Sequence, residues 1–236
     1  MILYEDEALL VLDKPAGMPC TIERGGRRPA VANWLLARDP ALAAVGKPSD
    51  AGLVHRLDNG TSGCLLAAKT AEAYAGLRAR FDAGAIRKEY LALLVGSVPE
   101  AVEWTQPIAH HPRDAKRMLC DSRGRPARTQ LTRLEWFPAR DGRVTPYSYC
   151  AVTIPTGVRH QIRAHAAAAG FPLAGDRLYQ STAVRRQDTV PLGRHFLHAH
   201  RLVFSHPTNG NSVHVESPLP LELAKILRYL REAEKK

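Results

Sequence analysis

A histidine, an arginine and an aspartate fall within four residues of HRLDNGTSG, residues 55–63. If residues 53–58 form an extended strand, side-chain alternation places Arg56 and Asp58 together on one face and His55 on the other. The Asn-Gly step that follows is typical of a turn, and an aspartate before such a turn most often bonds its own backbone. The pattern alone therefore leaves two alternatives open, a structural turn and a charged pair that does chemistry.

A second group of polar residues lies in TGVRHQIRAH, residues 156–165. On a helix Arg159 and Arg163 share one face, because they are four residues apart. A solvated basic face is the ordinary interpretation. Arginine beside glutamine and His160 also suits contact with a polyanion or a buried carboxylate, and an arginine paired with Asp58 would keep that carboxylate ionised at neutral pH.

The segment RKEYLALLVG contains Lys88 and places Tyr90 at the start of an apolar strand. A tyrosine in that position usually belongs to the core, with its hydroxyl at the edge. The functional alternative is a surface on which a flipped base stacks.

Three histidines in HFLHAH, residues 195–200, raise the question of a metal site. In a strand His198 and His200 face one way and His195 the other, and no cysteine or carboxylate lies nearby, so no metal site is predicted.

The chain also lacks the Walker A, G-x-G-x-x-G and G-x-S-x-G patterns. Nucleotide hydrolysis and dinucleotide redox chemistry thereby lose their usual sequence support.

The balance of charge favours a polyanionic partner. Lysine and arginine total 33 against 23 acidic residues, a formal net charge of +10. Basic residues concentrate in segments that often adjoin glycine or proline, and hence in loops that reach a phosphate backbone: 23–28, 113–118, 123–128, 159–163 and 185–186. Only 7 Tyr, 5 Phe and 3 Trp are present, so a broad base-stacking platform is not supported.

The cysteines and the N-terminal residues indicate the cellular compartment in which the protein is expected. The 4 cysteines are far apart and form no C-x-x-C pair, which predicts free, mostly buried thiols in a reducing cytoplasm. No apolar run approaches the ~18 residues of a membrane span. Acidic residues stand where a signal peptide would have basic ones, so no secretory signal is predicted.

Short segments of β-type residues are mixed with a few helical ones, which predicts an α+β domain and not a doubly wound sheet. Strands are predicted in ILYEDEALLVLDK, LVHRLD, CLLAAK, EYLALLVGSV, ARTQLTRLEW, SYCAVTI and HFLHAHRLVF. Helices are predicted in ANWLLARDPAL, AEAYAGLRARFDAG, HQIRAHAAAAG and LPLELAKILRYLREAEKK.

VHRLDNGTSGCLLAAKT resembles the central motif of the RluA-type RNA pseudouridine synthases, HRLD followed by two variable residues and TSG. Further segments resemble motifs of the same family in the same order: LDKPAGMP, RKEYLALLVG, GRPARTQL, RHQIRAHAAAAGFPLAGDRLY and FLHAHRLVFSHP. The resemblance covers roughly residues 9–220. A single such motif would be weak, whereas six in sequence are highly specific.

The resemblance implies the pseudouridine synthase fold, with a mixed, largely antiparallel β-sheet core flanked by helices and loops. It also implies isomerisation of uridine within RNA, without a metal or organic cofactor. The family's nucleophilic aspartate falls on Asp58, its active-site tyrosine on Tyr90, and the arginine that pairs with the aspartate on Arg163. Arg56 matches an arginine that helps to hold the target nucleotide flipped out. RNA contacts are also assigned to Arg159, His160 and Lys88.

The resemblance further implies one catalytic domain over residues 1–236 that acts as a monomer, away from membranes, on a tRNA or rRNA. The sequence begins at that domain, without the small S4 domain that precedes it in many relatives, so we expect a short stem-loop to be recognised locally. Two departures from the family pattern stand out. Asn59 and Gly60 replace a basic and an acidic residue, and PCTIERGG lacks a histidine often found after the Lys-Pro-x-Gly turn.

Two other functions remain as alternatives. A non-catalytic RNA-binding or RNA-chaperone protein on the same scaffold would share the basic charge but would not need Asp58, Tyr90 and Arg163 together. A hydrolase acting on a free nucleoside would need a second carboxylate as proton donor. Asp176 in AGDRLY is the candidate for that role, although Gly-Asp before arginine is more typical of a structural turn.

Overall fold

The computed structural model describes residues 1–22, 28–139 and 145–234. Its strands are β1 (Ile2–Glu5), β2 (Leu9–Lys14), β3 (Ser62–Ala68), β4 (Arg87–Val95), β5 (Ala101–Trp104), β6 (Ile108–His110), β7 (Met118–Cys120), β8 (Thr129–Phe137), β9 (Tyr147–Thr153), β10 (Leu197–Ser205) and β11 (Ser212–Glu216). Its helices are α1 (Val31–Arg38), α2 (Ala71–Asp82), α3 (Gln161–Ala168), α4 (Thr182–Gln187) and α5 (Leu221–Glu234), with a short 3-10 helix at Pro40–Ala44.

The chain forms two compact units. The first unit consists of Met1–Lys88 and Ala199–Pro218, and the second of Glu89–His198 and Leu219–Lys236. Each unit therefore contains two separate stretches of sequence. The expectation of a single catalytic domain stays a prediction.

In the first unit, β1, β2 and β3 form an antiparallel array, with β10 next to β3 and β11 antiparallel to β10. The side chains of β3 are buried along its whole length, as its apolar sequence predicts. Gly63 lies where β3 approaches β10, at φ +111°, and a Cβ there would overlap the carbonyl of Ala199. Glycine is therefore required in the TSG sequence both for its backbone angle and for this close approach.

In the second unit, β4, β9, β8 and β5 pair in that order, all antiparallel. Helix α5 presents Leu223, Ile226, Leu227 and Leu230 at helical spacing, and they join a buried cluster that includes Leu93 of β4. The strands β6 and β7 form a separate antiparallel pair. A smaller cluster joins them to α3 and to Tyr179.

The structure confirms the α+β class and the largely antiparallel sheet. The long predicted elements are present within a few residues of their predicted ends, including the stops of α2 and α3 at Gly84 and Gly170, both with positive φ. One predicted strand is wrong, since residues 53–58 are irregular. The short strands β5, β6, β7 and β11 and helix α4 were not predicted.

We expect Gly63→Ala to lower the free energy of unfolding by at least about 3 kcal/mol, because left-handed strain and a backbone overlap act together. Gly210→Ala is the matched control, since Gly210 has φ +74° but open space around its Cβ position. That variant should lose about 1 kcal/mol from strain alone. Urea unfolding of both variants measures the difference, and equal losses would contradict the close approach.

Candidate active site and RNA interface

Asp58 lies in a loop and not in the strand predicted over residues 53–58. An isolated bridge joins Leu53 to β3. Val54 is 1% exposed, although alternation assigns it to the same face as Asp58, which is half-buried. The regular strand that the two-face prediction assumed is therefore absent, because backbone groups of this segment bond to side chains and turns and not to a regular ladder.

Backbone groups on both sides of Asp58 bond to the segment that follows β2. The Leu57 N–H donates to the sulfur of Cys20 at 3.2 Å, and the Cys20 thiol donates to the Leu57 carbonyl at 3.3 Å. On the other side, the carbonyl of Asn59 accepts from the Gly17 N–H at 2.6 Å. These bonds fix the peptide units before and after the aspartate.

The ammonium of Lys14 reinforces the same contact from a buried position. Lys14 ends β2 and is 1% exposed. Its Nζ donates to the carbonyl oxygens of Pro15, Met18 and Asn59 at 2.8, 2.9 and 3.2 Å. The Lys-Pro-Ala-Gly turn, which in the sequence indicates only the end of a strand, thus also holds the loop of Asp58.

At the start of the loop, the imidazole of His55 accepts a backbone hydrogen bond that a carbonyl oxygen would accept in a regular strand pair. Its Nε2 accepts from the Leu66 N–H at 3.0 Å, and its ring stacks on Phe81 of α2 with centroids 4.8 Å apart. Burial, together with the positive charges of Lys88 and Arg78, lowers the pKa of this imidazole to about 3. The ring is therefore neutral at pH 7, with its proton on Nδ1.

The carbonyl of Asp58 accepts from the Thr61 N–H at 2.9 Å, so residues 58–61 form the predicted turn. Within this turn Asn59 is exposed. Arg56 is also exposed, whereas the residue between it and Asp58 is buried. The loop thus has a rigidly bonded backbone and presents the Arg56 side chain to solvent.

Tyr90 lies near the start of β4 in the second unit and is 7% exposed. It stands opposite Val152 of β9, which stands opposite Leu131 of β8, so the three side chains share one face of the sheet. The predicted strand position is confirmed. A role of the ring against a uracil base stays a prediction.

Arg163 of α3 is 7% exposed and donates from Nε and Nη2 to the carboxylate of Asp176 at 2.7 and 2.9 Å. The same carboxylate accepts from the backbone N–H groups of Leu178 and Tyr179. Asp176 is therefore the structural turn residue that its sequence indicates, and it also holds Arg163. Because the Asp176 carboxylate accepts these hydrogen bonds, it is not available as the second carboxylate that the hydrolase alternative requires as proton donor.

A basic hairpin, defined here as residues 107–128, contains β6, β7 and their flanking loops. Its exposed cations are Arg113, Lys116, Arg123, Arg125 and Arg128. Arg123 is paired with Asp121 at 2.8 Å and Arg128 with Glu103 at 2.6 Å. Within residues 1–22, 28–139 and 145–234, no acidic side chain forms an ion pair with Arg113, Lys116 or Arg125.

Arg159 connects α3 to the basic hairpin, because its Nη1 donates to the carbonyl of Ala115 at 3.1 Å. The side chain is exposed, as its predicted contact with RNA requires. The basic segment predicted over residues 23–28 lies outside the described residues except for Arg28, which is exposed.

His160 and Lys88, the other residues assigned to RNA, are less accessible. His160 adopts a left-handed backbone at φ +53° before α3, and its Nδ1 lies 2.9 Å from the Tyr179 hydroxyl. Lys88 is 5% exposed, and its Nζ lies 5.4 Å from the centre of the Phe81 ring. Burial lowers the pKa of Lys88 to about 8. Direct contact of either residue with RNA stays a prediction.

Among the described residues, no group of three or more His, Cys, Asp or Glu side chains is placed to hold a metal ion. The histidines of HFLHAH lie in or beside β10, where His195 and His198 are buried. All four cysteines are free, and Cys20, Cys64 and Cys150 are buried, as predicted.

Across the part of the chain that the structure describes, no helix has the length and apolarity needed to cross a membrane.

The sequence did not indicate which residues position the loop of Asp58. Lys14 and Cys20 are more than 35 residues away from Leu57 and Asn59, so no local pattern connects them. His55 was assigned only to a strand face. The one available signal is Lys14 itself, since a lysine at the end of a buried strand needs partners for its charge.

We expect the stability that depends on neutral His55 to be present above pH 6.5 and lost as the pH falls toward 3. The reason is that the unfolded imidazole binds a proton near its ordinary pKa, whereas the folded one does not. Between pH 8 and pH 5, wild type should lose about 2 kcal/mol more than His55→Gln, whose amide oxygen retains an acceptor. Urea unfolding at each pH measures this difference.

His110→Gln is the control for that experiment, since His110 is an exposed residue of β6. Its pH profile should follow wild type. Parallel profiles for wild type and His55→Gln would contradict a buried neutral imidazole.

Comparison with known proteins places these features in one family. The family described as RNA pseudouridylate synthase matches residues 8–168, which include Asp58, Tyr90 and Arg163. A ribosomal large subunit pseudouridine synthase D of Nitrosomonas europaea is 37% identical over 233 residues, 98% of this chain and 65% of that protein. An uncharacterized RNA pseudouridine synthase of Chloroflexus aurantiacus is 39% identical over 220 residues, 93% of this chain and 66% of that protein.

Solved structures agree with the sequence comparison. The structure of human RNA pseudouridylate synthase domain containing 1 has a TM-score of 0.70 and 26% identity, and the match covers 98% of this chain and 94% of that one. Human RNA pseudouridylate synthase domain containing 4 shares the fold, with a TM-score of 0.71 at 21% identity over 98% of this chain and 92% of that one. The chain spans about two thirds of the two bacterial relatives named above. This chain belongs to the RNA pseudouridylate synthase family.

Proposed function

We propose that this chain isomerises uridine in RNA to pseudouridine, with Asp58 as the nucleophile. The observation that carries the proposal is the match of the family over residues 8–168, with an aspartate at position 58 in a loop bonded on both sides. Pre-set geometry is what a nucleophile needs, because a misplacement of about 1 Å costs on the order of a hundredfold in rate.

The proposed reaction breaks the N1–C1′ bond of uridine, turns the base and forms a C5–C1′ bond. The proton of C5 is lost and N1 gains one, so substrate and product have the same atoms and no co-reactant is consumed. The target base must first leave the stack, at a cost of a few kcal/mol, because stacked RNA does not expose both C1′ and C5. Asp58 then attacks C1′, attacks C6, or removes a ribose proton, and these routes stay open.

Each of the other proposed site residues has one task in this reaction. Tyr90 packs against the uracil ring and takes part in the proton transfer from C5. Arg163 holds the Asp58 carboxylate ionised and aimed. Arg56 holds the flipped nucleotide by its phosphate. The buried position of Tyr90 and the two hydrogen bonds that Arg163 donates to Asp176 support tasks that require fixed side chains.

We propose large-subunit ribosomal RNA as the substrate, ahead of tRNA, and binding as a monomer. Several bacterial relatives at 35–37% identity carry the name ribosomal large subunit pseudouridine synthase D. Mapping pseudouridine in total rRNA and tRNA, with and without the gene, identifies the site. Activity on a minimal stem-loop would support local recognition, whereas a requirement for a whole ribosomal subunit would contradict it.

Asp58→Asn should reduce pseudouridine formation by at least about a thousandfold, because the amide is not a nucleophile, while RNA affinity stays within about twofold. Asp50→Asn is the control, since Asp50 is a half-buried aspartate of the same unit whose carboxylate accepts from Ser49. Single-turnover assays and filter binding measure the two quantities. If every cellular effect of the protein survives Asp58→Asn, the non-catalytic alternative replaces catalysis.

We further propose that the basic hairpin binds phosphates of the RNA. Replacing Arg113, Lys116 and Arg125 by glutamine should lower the slope of log affinity against log salt by about 2 to 3, because each phosphate contact contributes about 0.7 to 0.9. Arg123 and Arg128 are already paired with acidic side chains. Replacing these two residues should therefore change the slope by less than about 0.7, the contribution of a single phosphate contact. Equal slopes for both variants and wild type would place the RNA elsewhere.

A further inference from the structure

The hydroxyl of Tyr179 joins the basic hairpin to the start of α3. Tyr179 is 6% exposed. Its hydroxyl oxygen accepts from the Met118 N–H of β7 at 2.8 Å and lies 2.9 Å from Nδ1 of His160. The hydroxyl of Tyr179 is thus hydrogen-bonded both to the backbone of the basic hairpin and to the imidazole of His160.

Two guanidinium groups lie close to the ring of Tyr179. The Cζ atom of Arg163 is 5.0 Å from the ring centre, and that of Arg117 in the basic hairpin is 5.5 Å from it. Both distances are within the range in which a cation is attracted to an aromatic face. One side chain thus contacts the arginine of α3 through its ring and the hairpin through both its ring and its hydroxyl.

Arg163 makes two kinds of contact, with a carboxylate and with an aromatic ring. Nε and Nη2 both donate to the Asp176 carboxylate, which fixes that edge of the guanidinium group. The ring of Tyr179 is a second contact of the same guanidinium group, with the Cζ atom 5.0 Å from the ring centre. Asp176 also bonds the backbone N–H of Tyr179, so the carboxylate, the ring and the guanidinium are parts of one assembly.

We propose that Tyr179 is a positioning residue with two separable tasks. Its ring holds the Arg163 guanidinium in the orientation used for the reaction, and its hydroxyl holds the basic hairpin in the form that binds RNA. The inference rests on the proposed function, in which Arg163 serves the chemistry and the hairpin serves RNA binding. Loss of the ring is then a defect in turnover, and loss of the hydroxyl is a defect in RNA affinity.

Three variants separate the tasks. Tyr179→Phe keeps the ring and removes the hydroxyl, and Tyr179→Leu removes both. Tyr147→Phe is the matched control, because Tyr147 is also buried and its hydroxyl also makes two hydrogen bonds, with Asp188 and with the Thr189 N–H. Tyr179→Met replaces the leucine variant if the latter does not fold, since methionine is flexible and has no aromatic face.

For Tyr179→Phe we expect a threefold to tenfold weaker RNA affinity with kcat within twofold of wild type, as loss of one or two hydrogen bonds predicts. For Tyr179→Leu we expect the same loss of affinity and, in addition, a fall in kcat on the order of tenfold to a hundredfold. Tyr147→Phe should change neither quantity by more than twofold. RNA affinity is measured in the Asp58→Asn background, so that turnover does not affect it.

Two readouts do not depend on catalysis. Hydrogen exchange at the Met118 amide should accelerate in Tyr179→Phe and Tyr179→Leu but not in Tyr147→Phe. The NMR signal of the Arg163 Nε–H should persist in wild type and Tyr179→Phe and broaden or vanish in Tyr179→Leu. If wild type makes no pseudouridine in any RNA, the proposed function fails, and these two measurements still decide whether Tyr179 holds both groups.

The two-task inference is overturned if Tyr179→Phe loses kcat as strongly as Tyr179→Leu, because the tasks are then not separable. It is also overturned if Tyr147→Phe reproduces the effects of Tyr179→Phe, because the role is then general stability. An unchanged Arg163 signal in Tyr179→Leu or Tyr179→Met would show that Asp176 holds the arginine without the ring.

Discussion

The Lys14 ammonium lies among three carbonyl oxygens in a position with almost no access to solvent. Removing such a charge from water costs several kcal/mol unless hydrogen bonds replace its hydration. The carbonyls meet that requirement only if the turn after β2 and the loop after Asp58 are both in place. The geometry around Asp58 is therefore tied to the folding of the first unit and does not depend on the intrinsic preferences of its own loop.

The second unit uses the same principle with a different set of groups. A buried carboxylate, Asp176, accepts from the side chain of Arg163 and from the backbone of its own turn. In the first unit a buried charge, Lys14, fixes a backbone segment. In the second unit a buried charge, Asp176, fixes the side chain of Arg163. A rigid polar site of this kind is what electrostatic catalysis requires, since fixed groups need no rearrangement during the reaction.

The sequence predicted the long elements and the residues of the family motifs, but not the contacts that shape the site. Apolar periodicity and turn residues were sufficient for β4, β9, α2 and α5, because each has a buried face of several residues. The strands β6 and β7 have three residues each, which is too short for a period to show. Residues 53–58 look like a strand because Leu53, Val54 and Leu57 are apolar. Only the distant partners Cys20 and Lys14 reveal a loop.

Cys20 accepts from and donates to the two backbone groups of Leu57. Burial raises the pKa of this thiol, so little of it is the reactive thiolate. A thiol reagent can reach the sulfur only when the bonds to Leu57 open. The rate at which Cys20 is alkylated therefore reports how often the loop of Asp58 opens, and the half-buried Cys120 of β7 supplies an internal reference for reagent access. The alkylation rate of a native cysteine is thus a measure of the motion of the loop that carries the proposed nucleophile.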